Sequence, residues 1–285
     1  MDFTKLAEQI KTVGFENYLG RYVPTKTRDK LLEMNAYDIE KLYNKIFPGI
    51  VNAEGETEWD MMWLYYRAAW YDLFTELDLP LDMNIYEIAT GDTICVPQAL
   101  DIYSAGHGKY VTLNLNKELS LSFTTKTKDM AIYIRLIEDN GTNILNYYDD
   151  GTFNVVAFQH AINDIVQTIV SDAVGIDTLN TNWWETEPQM LRAVYSSFKE
   201  GKLKGIAYDP FINIIKVCYK SLKNGGYMIF NNFTRRANYE ELGYSSKFHS
   251  NYINMARDWI AEANLGLEEI EIDGYDKKWW MVLRK

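Results

Sequence analysis

A chain of 285 residues, 47% hydrophobic and 14% aromatic, is long enough for one large domain, or for a core of about 200 residues with an addition, and too apolar for disorder. Its 40 acidic residues against 29 basic ones leave a net charge of −11, with no Lys/Arg-rich run, which disfavours a nucleic-acid partner. Two distant cysteines (Cys95 and Cys218), an N-terminus without the apolar core of a signal peptide, and the lack of any run of ~18 apolar residues point to a cytoplasmic protein that does not enter a membrane.

The first 80 residues read as helical. Phe3, Leu6, Ala7, Ile10 and Val13 recur at helical spacing and Gly14 ends the run; Ile39, Leu42, Tyr43, Ile46 and Phe47 suggest a second helix, closed by Pro48 and Gly49. A third is clearer. With Thr57 as its cap and Asp60 at the capping-box position, Trp59, Met62, Trp63, Tyr66, Trp70, Leu73, Phe74 and Leu77 form one apolar face. Such a stripe is first of all core packing, although some of its rings can also roof a pocket. Pro80 marks a boundary, so residues 1–80 are expected as a helical cap and 81–285 as the main domain.

Residues 84–116 organise that main domain. A short strand over 85–88 turns through Ala89, Thr90, Gly91 and Asp92 into a helix that holds Pro97 in its first turn and stops at Gly106 and Gly108. A second strand over 110–115 runs out into Asn114 and Asn116, completing a βαβ unit. Further on, a helix is expected over 128–139, with Ile132, Arg135, Leu136 and Asp139 marking its turns, and a third strand over 144–148. Residues 153–158, F-N-V-V-A-F, read as a strand buried on both faces, leading through Gln159 and His160 into a helix that ends near 174. The stretch 175–203, with Trp183 and Trp184, reads as an irregular lid or insertion. A helical stripe from Tyr208 to Leu222, a strand over 227–230 and one long helix carrying Phe248, Tyr252, Met255, Trp259 and Ala263 follow. Strands over 267–272 and 279–283 are joined too tightly for a parallel crossover, so the last one runs antiparallel. The expected fold is α/β, a mostly parallel doubly wound sheet with an antiparallel last strand and an N-terminal helical addition.

The stretch Y-E-I-A-T-G-D (86–92), the K-N-G-G turn (223–226) before a strand and the reversed last strand resemble the Rossmann-like S-adenosylmethionine-dependent methyltransferases, over about residues 80–285. Glu87 matches that family's acid in the first strand and Gly91 its last turn glycine. Ala89 replaces the first glycine, and Asn116, or Asn114, stands where the family usually has a ribose-binding acid. The resemblance implies S-adenosylmethionine held by Glu87, Ala89, Thr90, Gly91, Asp92, Asn116, Phe158 and Gln159, with the loop 146–150 near the adenine. It implies His160 as a base, and Trp63, Tyr66, Trp183 and Trp184 around the acceptor. The implied activity is methyl transfer to a small molecule, neutral or cationic because aromatic rings attract cations. The alternatives are a catalytically inactive methyltransferase-like binding protein and another S-adenosylmethionine-using alkyl transferase. Nucleic acid and membrane are not expected partners, and a homodimer is an allowed assembly.

Each of these residues also has a plainer reading. Glu87 can simply pair with a backbone amide in its strand, and His160 can cap or pack at a strand end. His107 and His249 read as structural or solvated, and Cys95 as a buried thiol. No metal site emerges, since His and Cys never occur at ligand spacing. G-H-G-K-Y (106–110) lacks the spacing and the Ser/Thr of a phosphate-binding loop.

Overall fold

The alternation of apolar side chains along each strand divides the molecule into two layers around one sheet. The computed structural model describes residues 1–12, 20–234 and 243–285; Val13 and Gly14, expected at the end of the first helix, lie outside them. In chain order the elements are α1 (Phe3–Thr12), α2 (Thr25–Glu33), α3 (Ala36–Ile46), α4 (Glu56–Glu76), β1 (Asn84–Ile88), α5 (Cys95–Tyr103), β2 (Lys109–Leu113), α6 (Lys117–Thr127), β3 (Tyr133–Ile137), β4 (Phe153–Gln159), α7 (Ile162–Val174), α8 (Trp183–Lys199), α9 (Leu203–Ser221), β5 (Leu222–Asn231), α10 (Ser246–His249), α11 (Tyr252–Ala263), β6 (Glu268–Ile270) and β7 (Trp280–Arg284).

The strands form one seven-stranded sheet in the order β3-β2-β1-β4-β5-β7-β6. The β1–β2, β1–β4, β2–β3 and β4–β5 pairs are parallel, whereas β7 runs antiparallel to both β5 and β6. The expected reversal of the last strand is therefore present. Only residues 271–279 join β6 to β7, too short a span for a crossover helix. Ile85, Val155, Ala157, Ile229 and Val282 point into a core shared with α1 and α3–α5. Their neighbours Tyr86, Val156, Phe158, Met228, Phe230 and Met281 point into a second core with α7, α9 and α11. Period-2 alternation thus places Glu87 on the same face as Ile85, toward α4 and α5.

The helix α4 is buried on nearly every side, from Met61 and Met62 to Leu73 and Phe74, so it is an interior strut rather than a surface helix. Tyr65 packs outward against Phe3 and Phe47, while Tyr66 and Trp70 pack inward against Trp280. Its start differs from the expected Thr57 cap. Glu58 instead accepts the Glu54 and Gly55 N–H groups, each at 3.0 Å, which begins the helix at Glu56, and Asp60 accepts the Thr27 hydroxyl. Buried Arg67 donates to Gln98 Oε1 at 2.8 Å and fastens α4 to α5. At the sheet, Trp70 Nε1–H donates to Gln159 Oε1 at 2.5 Å, inside the core.

Four sequence expectations are corrected. The helix expected over 128–139 is the strand β3, because Ile132 and Leu136 are four apart, a spacing that fits period 2 as well as a helix turn. The helix of this region lies earlier, where the Asn116 side chain accepts the Leu119 N–H at 3.1 Å and caps α6. Residues 144–148 are not a strand; a 3-10 turn covers Gly141–Asn146. The stretch 175–203 holds the regular helix α8, capped by the Asn182 side chain on Trp184 and Glu185. The long last helix is broken into α10 and α11, and α2 was not anticipated.

The Trp70–Gln159 contact gives a direct stability test. Trp70→Phe keeps an aromatic ring but removes the indole donor, leaving the buried Gln159 oxygen unpaired. It should cost about 1–3 kcal/mol in denaturant unfolding. An unchanged midpoint would mean that α4 is not pinned through this bond.

Candidate functional site

Two groups of residues stand at the carboxyl ends of the central strands, where open α/β sheets bind ligands. The first is the turn between β1 and α5. Ala89 and Gly91 both adopt left-handed backbone, with φ of +52° and +56°. An L-residue with a Cβ pays for that conformation, so Ala89 keeps a glycine-like turn under strain. Thr90 and Thr93 lock the turn, each hydroxyl donating to the other's carbonyl at 3.1 and 2.9 Å. Just past β2, the Asn114 amide donates to the Gly91 carbonyl at 2.7 Å. Asp92 faces away toward α6, paired with Lys126 at 2.5 Å and accepting the Ser122 hydroxyl at 2.8 Å.

Beneath the turn, Glu87 is completely buried. Its Oε2 accepts the Tyr110 hydroxyl at 2.5 Å, while Oε1 has no hydrogen-bond partner. The expected backbone-amide partner is thus replaced by a tyrosine. Burial pushes the Glu87 carboxyl from 4.5 up to about 8, against the opposing pull of the Tyr110 and Thr90 hydroxyls. Asn116 is also buried, and both ends of its amide are used: the oxygen caps α6, and Nδ2 donates to the Thr181 carbonyl at 3.3 Å. The segment before α8 is therefore docked on the β2–α6 corner, where Asn182 also donates to Glu118 at 3.2 Å. Trp183 and Trp184 open α8 at this corner, with Trp184 exposed.

The second group lies beyond β4 and β5. Phe158 stacks on Phe230 with centroids 4.1 Å apart and faces the α7 side of the sheet. Gln159 points to the other side. It accepts from Trp70 and donates to Asn231 Oδ1 at 3.1 Å, and Asn231 in turn donates to the Trp279 carbonyl at 3.2 Å. His160 follows with φ of +52°, its N–H bonded to the Asn231 carbonyl at 2.7 Å. Its ring stacks on Phe233 at 4.0 Å, and Phe233 stacks on Tyr66 at 4.6 Å, with Trp63 edge-on at 6.4 Å. The structure thus brings Trp63 and Tyr66 together with His160, but places Trp183 and Trp184 at the Asn116 corner. The His249 ring, 1% exposed, lies 5.8 Å from that of His160, with Tyr244 at 3.3 Å from its Nδ1. His249 is therefore buried beside the candidate base and is not solvated.

Sequence reasoning missed Tyr110, Asn231, Phe233 and His249. The position of Tyr110 opposite the first strand was available from the βαβ pattern. The others come from segments distant in the chain, and no local motif marks them.

An open cavity of about 550 Å³ lies at the opposite end of the sheet, lined by Asp150, Tyr219, Lys220, Lys223 and Lys285. Lys285 is held by the Tyr219 and Leu222 carbonyls, and Lys223 by Asn154. This is the amino end of β4 and β5, away from the groups described above. Among the described residues, no helix is long and apolar enough to cross a membrane.

No family model matches the chain, and no curated protein matches it in sequence. Among solved structures it is similar to a SAM-dependent methyltransferase from Aquifex aeolicus, with a TM-score of 0.43 and 11% identity over 75% of this chain and 87% of that one. It is similar to precorrin-6y C5,15-methyltransferase from Geobacter metallireducens, with a TM-score of 0.41 and 12% identity over 77% and 88%. It is also similar to Aeropyrum pernix fibrillarin with natively bound S-adenosyl-L-methionine, with a TM-score of 0.39 and 13% identity over 78% and 76%.

Buried Glu87 makes stability depend on pH. Between 4.5 and about 8 the folded protein keeps a proton that the unfolded chain releases, so stability falls as pH rises through that window. The slope is up to ~1.4 kcal/mol per pH unit. Glu87→Gln retains an acceptor for Tyr110 but cannot ionise. Melting curves from pH 5 to 8 should fall more steeply for the wild type than for the variant; parallel curves would contradict a protonated Glu87. The strand order, with the antiparallel β7 set between β5 and β6, agrees with the α/β fold expected from the sequence, a mostly parallel sheet with a reversed last strand.

Proposed function

We infer that this chain is an S-adenosylmethionine-dependent methyltransferase acting on a small molecule. The observation that carries the reading is the convergence, at the carboxyl ends of β1 and β4, of a left-handed turn over a buried acid with a histidine framed by aromatic rings. The residues at the turn fit the cofactor's methionine end: Glu87 has an unused buried oxygen, and Gly91 is open, since an added Cβ would meet only Leu119 at 3.7 Å. When bound, the sulfonium supplies an already activated methyl group, so the protein's part is alignment and exclusion of water.

In this reading Glu87, Ala89, Thr90, Gly91 and Asp92 hold the methionine end, with Asp92 contributing through its backbone N–H because Lys126 engages both its carboxylate and its carbonyl. Asn116 and the loop before α8, with Trp183 and Trp184, flank the ribose and adenine. Phe158 and Gln159 support the floor at the transfer position, Gln159 as a positioning residue whose amide is already engaged. His160 takes the acceptor's proton. Trp63 and Tyr66 wall the acceptor side. The net charge of −11 supports a small neutral or cationic acceptor over a nucleic acid.

The methyltransferase-like binding protein remains a second reading. It is favoured by one observation: Asn114 Nδ2 and both ends of the Asn116 amide are engaged within the protein, and neither position carries a carboxylate for the ribose. Calorimetry with S-adenosylmethionine and its demethylated product separates the two. Saturable binding of both supports the enzyme, and no binding at millimolar concentration leaves the second reading. Gly91→Val should weaken cofactor affinity at least tenfold, because a β-branched residue does not tolerate φ of +56°. With an acceptor that turns over, His160→Ala should lower kcat by about 100-fold while leaving cofactor affinity intact. Unchanged turnover would return His160 to a structural role.

A further inference from the structure

The sandwich above the end of β4 is filled by the protein itself. Phe233, two residues past β5, lies at 21° to the His160 ring and at 21° to the Tyr66 ring, so those two rings stand one ring apart. The backbone on either side of Phe233 is held: the Asn232 N–H donates to the Trp279 carbonyl at 2.9 Å, and the Thr234 carbonyl accepts the Val51 N–H at 2.7 Å. The ring can therefore leave the slot only by rotating about its own side-chain torsions. One buried polar atom beside it has no hydrogen-bond partner: the hydroxyl of Tyr66, whose ring stacks on Phe233 and which is 0% exposed. A phenylalanine ring offers nothing to that hydroxyl, and native proteins rarely leave such groups unpaired.

We propose that the slot between His160 and Tyr66 takes a planar aromatic acceptor bearing an amine or hydroxyl, and that Phe233 holds its place until the acceptor arrives. Exchanging one ring for another keeps both stacking contacts, while the polar substituent supplies the partner that Phe233 lacks. A saturated ring of the same size is too thick for a gap set by two stacked faces. The word acceptor rests on the methyl-transfer reading; the slot itself is testable without cofactor.

The chain has three histidines, so the imidazole protons of His160 can be assigned by NMR from a His160→Gln sample. In the wild type, the Phe233 ring should shield them. In Phe233→Ala that shielding should vanish, and added aniline should restore it, binding at least tenfold more tightly than to the wild type. Cyclohexanol, uncharged like aniline but saturated, should perturb the His160 resonances only at concentrations at least tenfold higher, and Tyr66→Phe in the same background should weaken aniline severalfold. Equal binding of cyclohexanol, or aniline binding that leaves the His160 resonances unmoved, would overturn the proposal. If Phe233→Ala does not fold, Phe233→Leu serves. It lacks the shielding ring, and aniline should displace its side chain at lower concentration than it displaces Phe233; failure to do so also overturns the proposal. These titrations contain no S-adenosylmethionine, so a failure of cofactor binding would sink the methyltransferase reading and leave the slot result standing.

Discussion

The hydrogen bond between the Trp70 indole and the Gln159 amide is the constraint on which the upper half of the molecule depends. It sits where no water can substitute for either partner, and it continues through Asn231 to the Trp279 carbonyl. One buried polar chain thus joins α4, the ends of β4 and β5, and the start of β7. Buried polar groups of this kind are costly when broken and specific when complete. Because Gln159 is fixed, His160 beyond it has a fixed start, and its strained backbone is held by the Asn231 carbonyl. Tyr66, one helical turn before Trp70, is placed over Phe233 by the same anchoring.

A second buried polar group forms under the β1 turn. There Tyr110 and Thr90 surround a carboxyl that burial alone would protonate. The two groups lie on the same face of the sheet, the one covered by α4 and α5. The N-terminal helices are therefore more than an outer layer, since they share one hydrophobic core with that face. A helix whose apolar residues run all around it can serve both duties: its outer rings bind α1 and α3, and its inner rings reach the strand ends.

Much of this architecture was legible in the sequence. The apolar run 153–158 announced a strand buried on both faces, the turn 89–92 announced a βαβ unit, and the short link after residue 270 required a reversed strand. The stretch from 117 to 148 was misread because Ile132 and Leu136 satisfy two periods at once, and only pairing with β2 decides between them. That Glu87 would lie under the β1 turn, and Trp63 and Tyr66 near His160, was legible from position along the chain. Phe233 and His249 were not, because their proximity to His160 is created by tertiary packing of segments more than 70 residues apart. The engagement of Asn116 was likewise hidden: a helix cap and a ribose contact call for the same side chain.

The measurement that bears most directly on the central claim is hydrogen exchange with and without the demethylated cofactor product. A ligand held at the carboxyl ends of β1 and β4 slows exchange at the amides of Thr90 to Thr93 and of the residues just beyond Gln159, leaving the opposite end of the sheet around Lys220 and Lys223 unchanged. Protection confined to that opposite end, or no protection at the β1 turn, would contradict the assignment of the site.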